Sequence, residues 1–223
     1  MTNYPITKLR TTQDGSHTLY VPELDEYYHS MYGAIQESVH VFLKQGFLSM
    51  EGGNIIIFEI GFGTGLNAFL TYIEAEKINR EVVYHSIELY PVKTELINNL
   101  NYPEYINPGK REDFYYMHGS PWNEEVRIAP FFLLKKINED LRSYKFDNNY
   151  NIVYFDAFAP DKQPELWQPD IFRDIYDNLS DNGILVTYCS KVQVRKILES
   201  VGFIVEKVPG PPGKREVVRA VKR

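Results

Sequence analysis

The chain is short of cysteine, and that absence is informative. One thiol in 223 residues, Cys189, rules out an internal disulfide and fits a reducing compartment. It stands in the apolar run "GILVTYCS", where a core thiol and a nucleophile are the alternatives. There is no run of 18 apolar residues, and no charged-then-apolar N-terminus ending in small residues, so neither a membrane span nor a secretory signal is expected. The expectation is a soluble, cytoplasmic protein. The five histidines have no metal-ligand spacing and no acidic stretch resembles a calcium loop, so no metal is expected. No repeat or low-complexity tract is visible. The net charge of −6 argues against a uniformly positive surface, although a local basic patch would still suffice for nucleic acid.

What is present is ordinary for a globular protein, at 43% hydrophobic and 24% charged residues, with 17 Tyr and 13 Phe available for a core or for stacking. Asp14-Gly15 between β-prone flanks signals a hairpin, and 33–45 ("GAIQESVHVFLKQ") reads as a helix with Ile35, Val39, Phe42 and Leu43 on one side. After that, strands and helices alternate. "NIIIFEIG" has no polar face, as a central parallel strand requires. It is followed by a helix ("LNAFLTYIEAEKI"), a strand ("EVVYHSIEL") and a helix ("VKTELINNLN"). Residues 103–145 are irregular, with possible strands at "FYYMH" and "FFLLKKI". "YNIVYFDAF" is again an apolar strand, and "QPELWQPDIFRDIYDNL" reads as a helix. "NGILVTYCS", "KVQVRKILESVG", "FIVEKVP" and "REVVRAVK" then read strand, helix, strand, strand, the last two joined as a hairpin by "GPPGK". The pattern predicts an α/β fold with a doubly wound, mostly parallel sheet and an antiparallel C-terminal edge hairpin. Residues 1–50 would be an extension packed on a core formed by 51–223.

The chemistry starts at "IIIFEIGFGTGLNAFL", residues 55–70. A strand running into a glycine loop and then a helix brings backbone N–H groups and a helix N-terminus to a ligand. Gly61, Gly63 and Gly65 form GxGxG, whereas a dinucleotide fingerprint needs GxGxxG. Glu59, two positions before the first glycine, would meet a pyrophosphate badly. It would meet the sulfonium and ammonium of S-adenosylmethionine well. A tight turn without a ligand is the alternative. Glu88 ends the next strand, where an acid can accept both ribose hydroxyls. Loop and acid together point to a Rossmann-like class I S-adenosylmethionine-dependent methyltransferase. Asp140 in "KKINEDLRSY" could accept from the adenine amino group or be a solvated loop acid.

"VYFDAFAPDKQPELW" opens at the C-terminal end of a strand on the same sheet edge. Asp156 would emerge beside the sulfonium, with Phe158 and Pro160 as an apolar wall. An amine with a pKa of about 10 must lose a proton before it can attack. Asp156 could orient it and help remove that proton, or could be a helix cap or structural acid. Basic residues concentrate in the last third: Lys191, Arg195, Lys196, Lys214, Arg215, Arg219, Lys222 and Arg223 are candidates for phosphate contacts or ordinary solvated charges. A base splayed from a single-stranded loop would stack on an aromatic ring, for which Phe158 and Trp167 are candidates, Trp167 being as readily core.

"EIGFGTGLN", "FDAFAPDKQPELW", "QDGSHT", "DEYYHS", "ESVHVF" and "GKREVVRAV" together resemble the family of tRNA 5-methylaminomethyl-2-thiouridine methyltransferases over nearly the whole chain. The resemblance implies methyl transfer from S-adenosylmethionine to the amine of 5-aminomethyl-(2-thio)uridine in the tRNA anticodon loop. It assigns the cofactor loop to Glu59, Gly61, Gly63, Gly65 and Asn67, the ribose acid to Glu88, and the catalytic segment to Asp156, Phe158 and Pro160. A Tyr-x-Ser element falls on Tyr28 and Ser30, with Glu37 in the following helix, closing over cofactor and base. The family often has Gly-Asp where this chain has Glu139-Asp140. In some relatives an FAD-dependent oxidase is fused to this domain. With the sequence ending at Arg223 and no second glycine fingerprint, a separate oxidase would serve that step. The readings that compete are a methyl- or aminopropyl-transferase for a small-molecule amine and a non-catalytic RNA-binding module.

Overall fold

The computed structural model describes residues 6–223. The segment before the glycine loop forms a three-stranded antiparallel sheet, β1 (Lys8–Thr11), β2 (His17–Val21) and β3 (Glu26–Tyr27). β1 and β2 are the hairpin expected around Asp14-Gly15, paired from Lys8↔Tyr20 to Thr11↔His17. The expected helix at 33–45 is split into a short α1 (Ala34–Ser38) and a π-helical stretch, Val39–Lys44, that buries Val41, Phe42 and Leu43. Leu19, Ala34, Phe42 and Phe47 join the same apolar cluster as the main sheet, so the extension shares its core.

The main sheet has eight strands. Its order in chain numbering is β10-β11-β9-β8-β4-β5-β7-β6. β4 (Ile55–Ile60) lies at its centre, parallel to β5 (Val82–Ile87) and to β8 (Tyr150–Phe155). Five of the six β4 residues are buried, which explains its unbroken apolar reading. Between β4 and β5 runs α2 (Leu66–Lys77), and after β5 come α3 (Thr94–Ile97), α4 (Tyr102–Ile106) and α5 (Arg111–Gly119). β6 (Glu125–Ala129) and β7 (Phe132–Ile137) pair antiparallel at one edge, with β7 parallel to β5. α6 (Pro169–Asp177), β9 (Leu179–Thr187) and α7 (Val192–Val201) follow β8. β10 (Ile204–Pro209) and β11 (Glu216–Val221) form the expected C-terminal hairpin, β11 pairing antiparallel with β9.

Two expectations need correction. "FYYMH" is the C-terminal half of α5 and not a strand. Phe114 and Met117 are buried three residues apart while Tyr116 is 52% exposed, a helical period that a five-residue window does not resolve. The single helix read over 163–179 is broken, because Pro169 holds Gln168 extended (φ −90°, ψ 152°). A 3₁₀ turn at Pro164–Leu166 precedes the break, and α6 restarts with Pro169 in its first turn.

The register brings Ile60, Ile87, Ile137 and Phe155 level at the C-terminal ends of β4, β5, β7 and β8, four of the five parallel strands. Gly61, Glu88, Asn138 and Asp156 are therefore the next residue on each strand. They meet where the strand order reverses between β4 and its two neighbours, which is where open α/β sheets hold ligands.

Candidate active site

A cavity of about 720 Å³ opens at this edge, a size suited to a drug-sized ligand. Its floor is the loop after β4, with Gly61 and Gly63 at φ of +92° and +50°. A Cβ at Gly61 would stand 3.0 Å from the Asp156 carbonyl oxygen, and one at Gly63 would stand 3.1 Å from the Tyr28 ring. Backbone conformation and space therefore both demand glycine. Gly65 caps α2 from outside the wall, with His118 Nε2 3.1 Å from the next carbonyl back, that of Thr64.

Glu88 faces the cavity. Its Oε2 accepts from the Gly63 N–H (3.1 Å) and its Oε1 from the Tyr90 N–H (2.9 Å), which ties the second strand's acid to the glycine loop. Desolvation holds its pKa above the usual carboxylate value, and these backbone donors offset only part of that rise. Further along the wall Asp140 is clasped by Arg142, whose Nε lies 2.9 and 3.0 Å from its two oxygens. The Arg142 bond is the largest influence on Asp140 and holds its pKa below the usual carboxylate value. Glu23, Glu139 and Glu165 also line the space, against Arg142 and Lys162. The wall is thus acidic, and it suits a ligand carrying positive charge and hydroxyl groups.

Asp156 closes the floor opposite. Its backbone N–H donates to the Ile60 carbonyl (3.0 Å), and its Oδ2 accepts from Asn67 Nδ2 (2.8 Å). Burial pushes its pKa well up, the charges of Glu59 and Glu37 add to this, and the Asn67 bond and Lys214 oppose it. The loop beyond is pinned by two side chains. Trp167 Nε1 donates to the Phe158 carbonyl (2.8 Å), and the Tyr188 hydroxyl donates to that of Ala157 (2.9 Å). The Phe158 ring meets Tyr28 edge to face at 5.1 Å, so the two rings close one side of the space above Asp156.

Of the residues singled out from sequence, Gly61, Gly63, Asn67, Glu88, Asp140, Asp156, Phe158 and Tyr28 line this cavity. Others do not. Glu59 is 0% exposed and lies beneath the loop, its Oε2 bonded to the Ser86 hydroxyl (2.6 Å). It points away from the cavity, between β4 and its neighbours, so it is not among the lining residues where the expected contact with a cofactor cation would lie. Ser30 lies outside the wall, its N–H donating to Glu37 Oε2 (2.7 Å). Pro160 is also outside it. Trp167 is 3% exposed against Phe155 and Phe172, so its ring is not offered to a base; its part is to hold the loop.

The basic cluster is partly neutralised. Lys214 Nζ lies 2.5 Å from Glu37 Oε1 and 4.0 Å from the centre of the Tyr188 ring. Lys191 pairs with Asp161 and Arg219 with Glu206, while Lys222 bonds the carbonyls of Tyr176 and Leu179 (both 2.7 Å). Among the described residues Lys162, Arg195, Lys196 and Arg215 have no carboxylate within 4.0 Å, although Arg195 is half-buried with its Nε unpartnered. Sequence reasoning missed Arg142, Tyr90, Lys162, Gln163 and Tyr188. Only Arg142 carried a signal, as a guanidinium two residues after an acid.

Residues 125–223 match the profile of a family described as S-adenosyl-L-methionine-dependent methyltransferase. The chain is 28% identical over 217 residues to an uncharacterised protein of Methanocaldococcus jannaschii, covering 95% of this chain and 58% of that one. It is 32% identical over 210 residues to the tRNA 5-methylaminomethyl-2-thiouridine biosynthesis bifunctional protein MnmC of Dichelobacter nodosus, covering 88% of this chain. The chain spans 34% of that relative's length, so it is similar to one part of it. Among solved structures, MNMC2 from Aquifex aeolicus superposes with a TM-score of 0.77 at 25% identity, covering 100% of this chain and 72% of the other. Spermidine synthase from Thermotoga maritima (TM-score 0.60, 11% identity) shares the fold, covering 100% of this chain and 70% of that one.

Proposed function

We propose that this chain, which belongs to the MnmC methyltransferase family and uses S-adenosylmethionine, methylates the primary amine of 5-aminomethyl-(2-thio)uridine at the tRNA wobble position. The observation that carries this reading is the setting of Asp156. It is a cavity-lining carboxylate with one oxygen held by Asn67, beside the Phe158 and Tyr28 rings. A flat base bearing an aminomethyl arm needs those two features together, an aromatic wall and an acid at the end of the arm.

When bound, the cofactor supplies an electrophilic methyl on a sulfonium whose leaving group is a neutral thioether. The glycine loop and Glu88 would hold the ribose and amino-acid portions, and Asp140 the adenine edge. Asp156 receives the substrate as an ammonium ion. A raised pKa makes its carboxylate a stronger base than an exposed one. Asp156 would take a proton from the ammonium, which leaves the nitrogen lone pair free for the methyl that the cofactor would supply. Trp167 and Tyr188 fix the backbone of this loop, which preserves the in-line approach. Lys162, Lys196 and Arg215, which have no carboxylate partner among the described residues, would meet tRNA phosphates, with Arg195 next to Lys196 on α7. A separate oxidase would act elsewhere in the same sequence of steps.

A second reading is a polyamine or other small amine as acceptor. The excess of carboxylates in the wall, with Glu23, Glu88, Glu139, Asp140, Asp156 and Glu165 against Arg142 and Lys162, favours a polycation. Methyl transfer from labelled S-adenosylmethionine to bulk tRNA lacking the terminal methyl, followed by nucleoside analysis, separates the two. Label in 5-methylaminomethyl-uridine is expected. Label absent from tRNA and present on an added polyamine would overturn the tRNA reading.

A further inference from the structure

Glu59 has no role in the mechanism above, yet it is a completely buried carboxyl one layer below the reacting groups. Its Oε2 has the Ser86 hydroxyl at 2.6 Å, and its Oε1 has no partner of normal hydrogen-bond geometry. Among the described residues no Lys, Arg or His lies within 4.0 Å of either oxygen. The groups around it come from every neighbouring element. They are Ser86 and Tyr84 from β5, Glu88 at the end of β5, Asn67 from α2, and Tyr154 and Asp156 from β8. Two are carboxyls, none is a cation, and the two tyrosines stay un-ionised, burial raising Tyr84 well above its ordinary value. An ionised carboxylate in such a place would be desolvated without compensation.

We infer that Glu59 is a positioning residue that remains protonated and acts through the Asn67 carboxamide on Asp156. The hydrogen bonds leave two buried acceptors without a donor, Glu59 Oε1 and Asn67 Oδ1. The Ser86 hydroxyl donates to Oε2, so the carboxyl proton sits on Oε1. The Asn67 carboxamide and the Tyr84 hydroxyl are the polar groups beside the carboxyl, and one proton on Oε1 directed to Asn67 Oδ1 provides for both orphans. Asn67 Nδ2 has two hydrogens, and one is already on Asp156 Oδ2 at 2.8 Å. The amide thus stands between two acids and its orientation is set by both. Asp156 is then offered to the substrate with one oxygen committed and the other free. Burial, partly offset by Ser86, Asn67 and Tyr84, pushes Glu59 up to about 8, in line with a proton held at neutral pH. The inference rests on reading Asp156 as the group that meets the amine. It reverses the expectation from sequence, in which a charged Glu59 contacts the cofactor.

The two assignments differ for Glu59→Gln, which keeps a carbonyl toward the Ser86 hydroxyl and an amide donor toward Asn67 Oδ1. Calorimetry with S-adenosylmethionine and S-adenosylhomocysteine is expected to give both affinities within about threefold of wild type for Glu59→Gln. In ¹⁵N-labelled protein the Asn67 side-chain amide signals, identified by their loss in Asn67→Asp, should stay in place in Glu59→Gln and move in Glu59→Ala. Turnover should fall at least tenfold in Glu59→Ala and be restored to within threefold by Glu59→Gln. A tenfold or greater loss of S-adenosylmethionine affinity in Glu59→Gln, exceeding the loss for S-adenosylhomocysteine, would overturn the inference in favour of a charged ligand. Glu59→Ala that leaves the amide signals in place and only lowers the melting temperature would overturn it in favour of a structural filler. If the wild-type protein methylates no tRNA, the proposed substrate falls, and the binding and amide readouts still decide Glu59.

Discussion

Asn67 Nδ2 donates to Asp156 Oδ2 at 2.8 Å, joining two residues 89 positions apart in the chain. The bond links the first turn of α2 to the loop after β8, the two segments that follow the neighbouring parallel strands β4 and β8. It holds the acid in the cavity while leaving its second oxygen free. Replacing Asp156 by Ala removes the group that receives the proton and should lower turnover by roughly 10²–10⁴-fold. The glycine loop is untouched, so calorimetric affinity for S-adenosylhomocysteine should stay within a few-fold. Equal loss of both would make Asp156 mainly a cofactor ligand.

Glu88 should behave in the opposite way. It anchors the glycine loop through the Gly63 N–H and faces the cavity. Glu88→Ala leaves two backbone donors without their carboxylate, a loss on the scale of about 1.5–3 kcal/mol for a bond to a charged group. Cofactor affinity should weaken by roughly 10–100-fold, with turnover at saturating cofactor largely kept. Titration calorimetry and steady-state kinetics together check the split.

The placement of these two acids was legible because each follows an apolar parallel strand, and a strand's end fixes where the next residue lies. Glu59 was misread for a related reason. Its distance from the glycines is right for a ligand contact, but the side of the strand it occupies is a matter of alternation, and β4 is buried on both faces, so the sequence carries no polar/apolar contrast to set that phase. Trp167 and Lys214 show the other limit. The Trp167 bond to the Phe158 carbonyl and the Lys214 pairing with Glu37, 177 positions away, depend on tertiary contacts that no local pattern encodes.

Lys136 gives a test of the electrostatics beneath the glycine loop. It is 1% exposed on β7, its Nζ donates to the His118 carbonyl (2.6 Å), and it lies 4.8 Å from the Trp122 ring centre. Burial lowers its pKa from 10.5 to about 8. Below pH 8 both folded and unfolded states carry the proton, and the folded state bears the full penalty. Between pH 8 and 10.5 the unfolded chain binds more protons, so this group makes stability rise with pH, by roughly 2–4 kcal/mol across the window. Glu59 acts in the other direction at lower pH. Its pKa is raised from 4.5 to about 8, so its contribution is complete below 4.5 and declines up to pH 8. Denaturant unfolding from pH 5 to 10.5 should lose its alkaline rise in Lys136→Met and its decline between 4.5 and 8 in Glu59→Gln. Unchanged curves would place neither residue in the environment described.

The cations of the C-terminal third should divide into two classes by salt dependence. Each phosphate contact contributes a slope of about −0.7 to −0.9 in log affinity against log salt. Lys196 is exposed on α7 and Arg215 is exposed just beyond the hairpin turn, with no acid to neutralise either among the described residues. Lys196→Ala and Arg215→Ala should each flatten the slope for tRNA by close to one contact and weaken binding similarly for every tRNA. Lys214 is already matched to Glu37 and packed over Tyr188, the residue that holds the Ala157 carbonyl. Lys214→Ala should therefore leave the slope unchanged. It strips the partner from a buried Glu37 and should cost roughly 1–3 kcal/mol of stability, less than a fully buried pair because the lysine is partly solvated. Turnover should fall as well, since the Tyr188 ring loses the cation that packs it beside Asp156. Filter-binding across 50–300 mM salt, with denaturant unfolding of the same variants, checks both halves. A flattened slope in Lys214→Ala would mean that the Glu37 pair opens to meet the RNA.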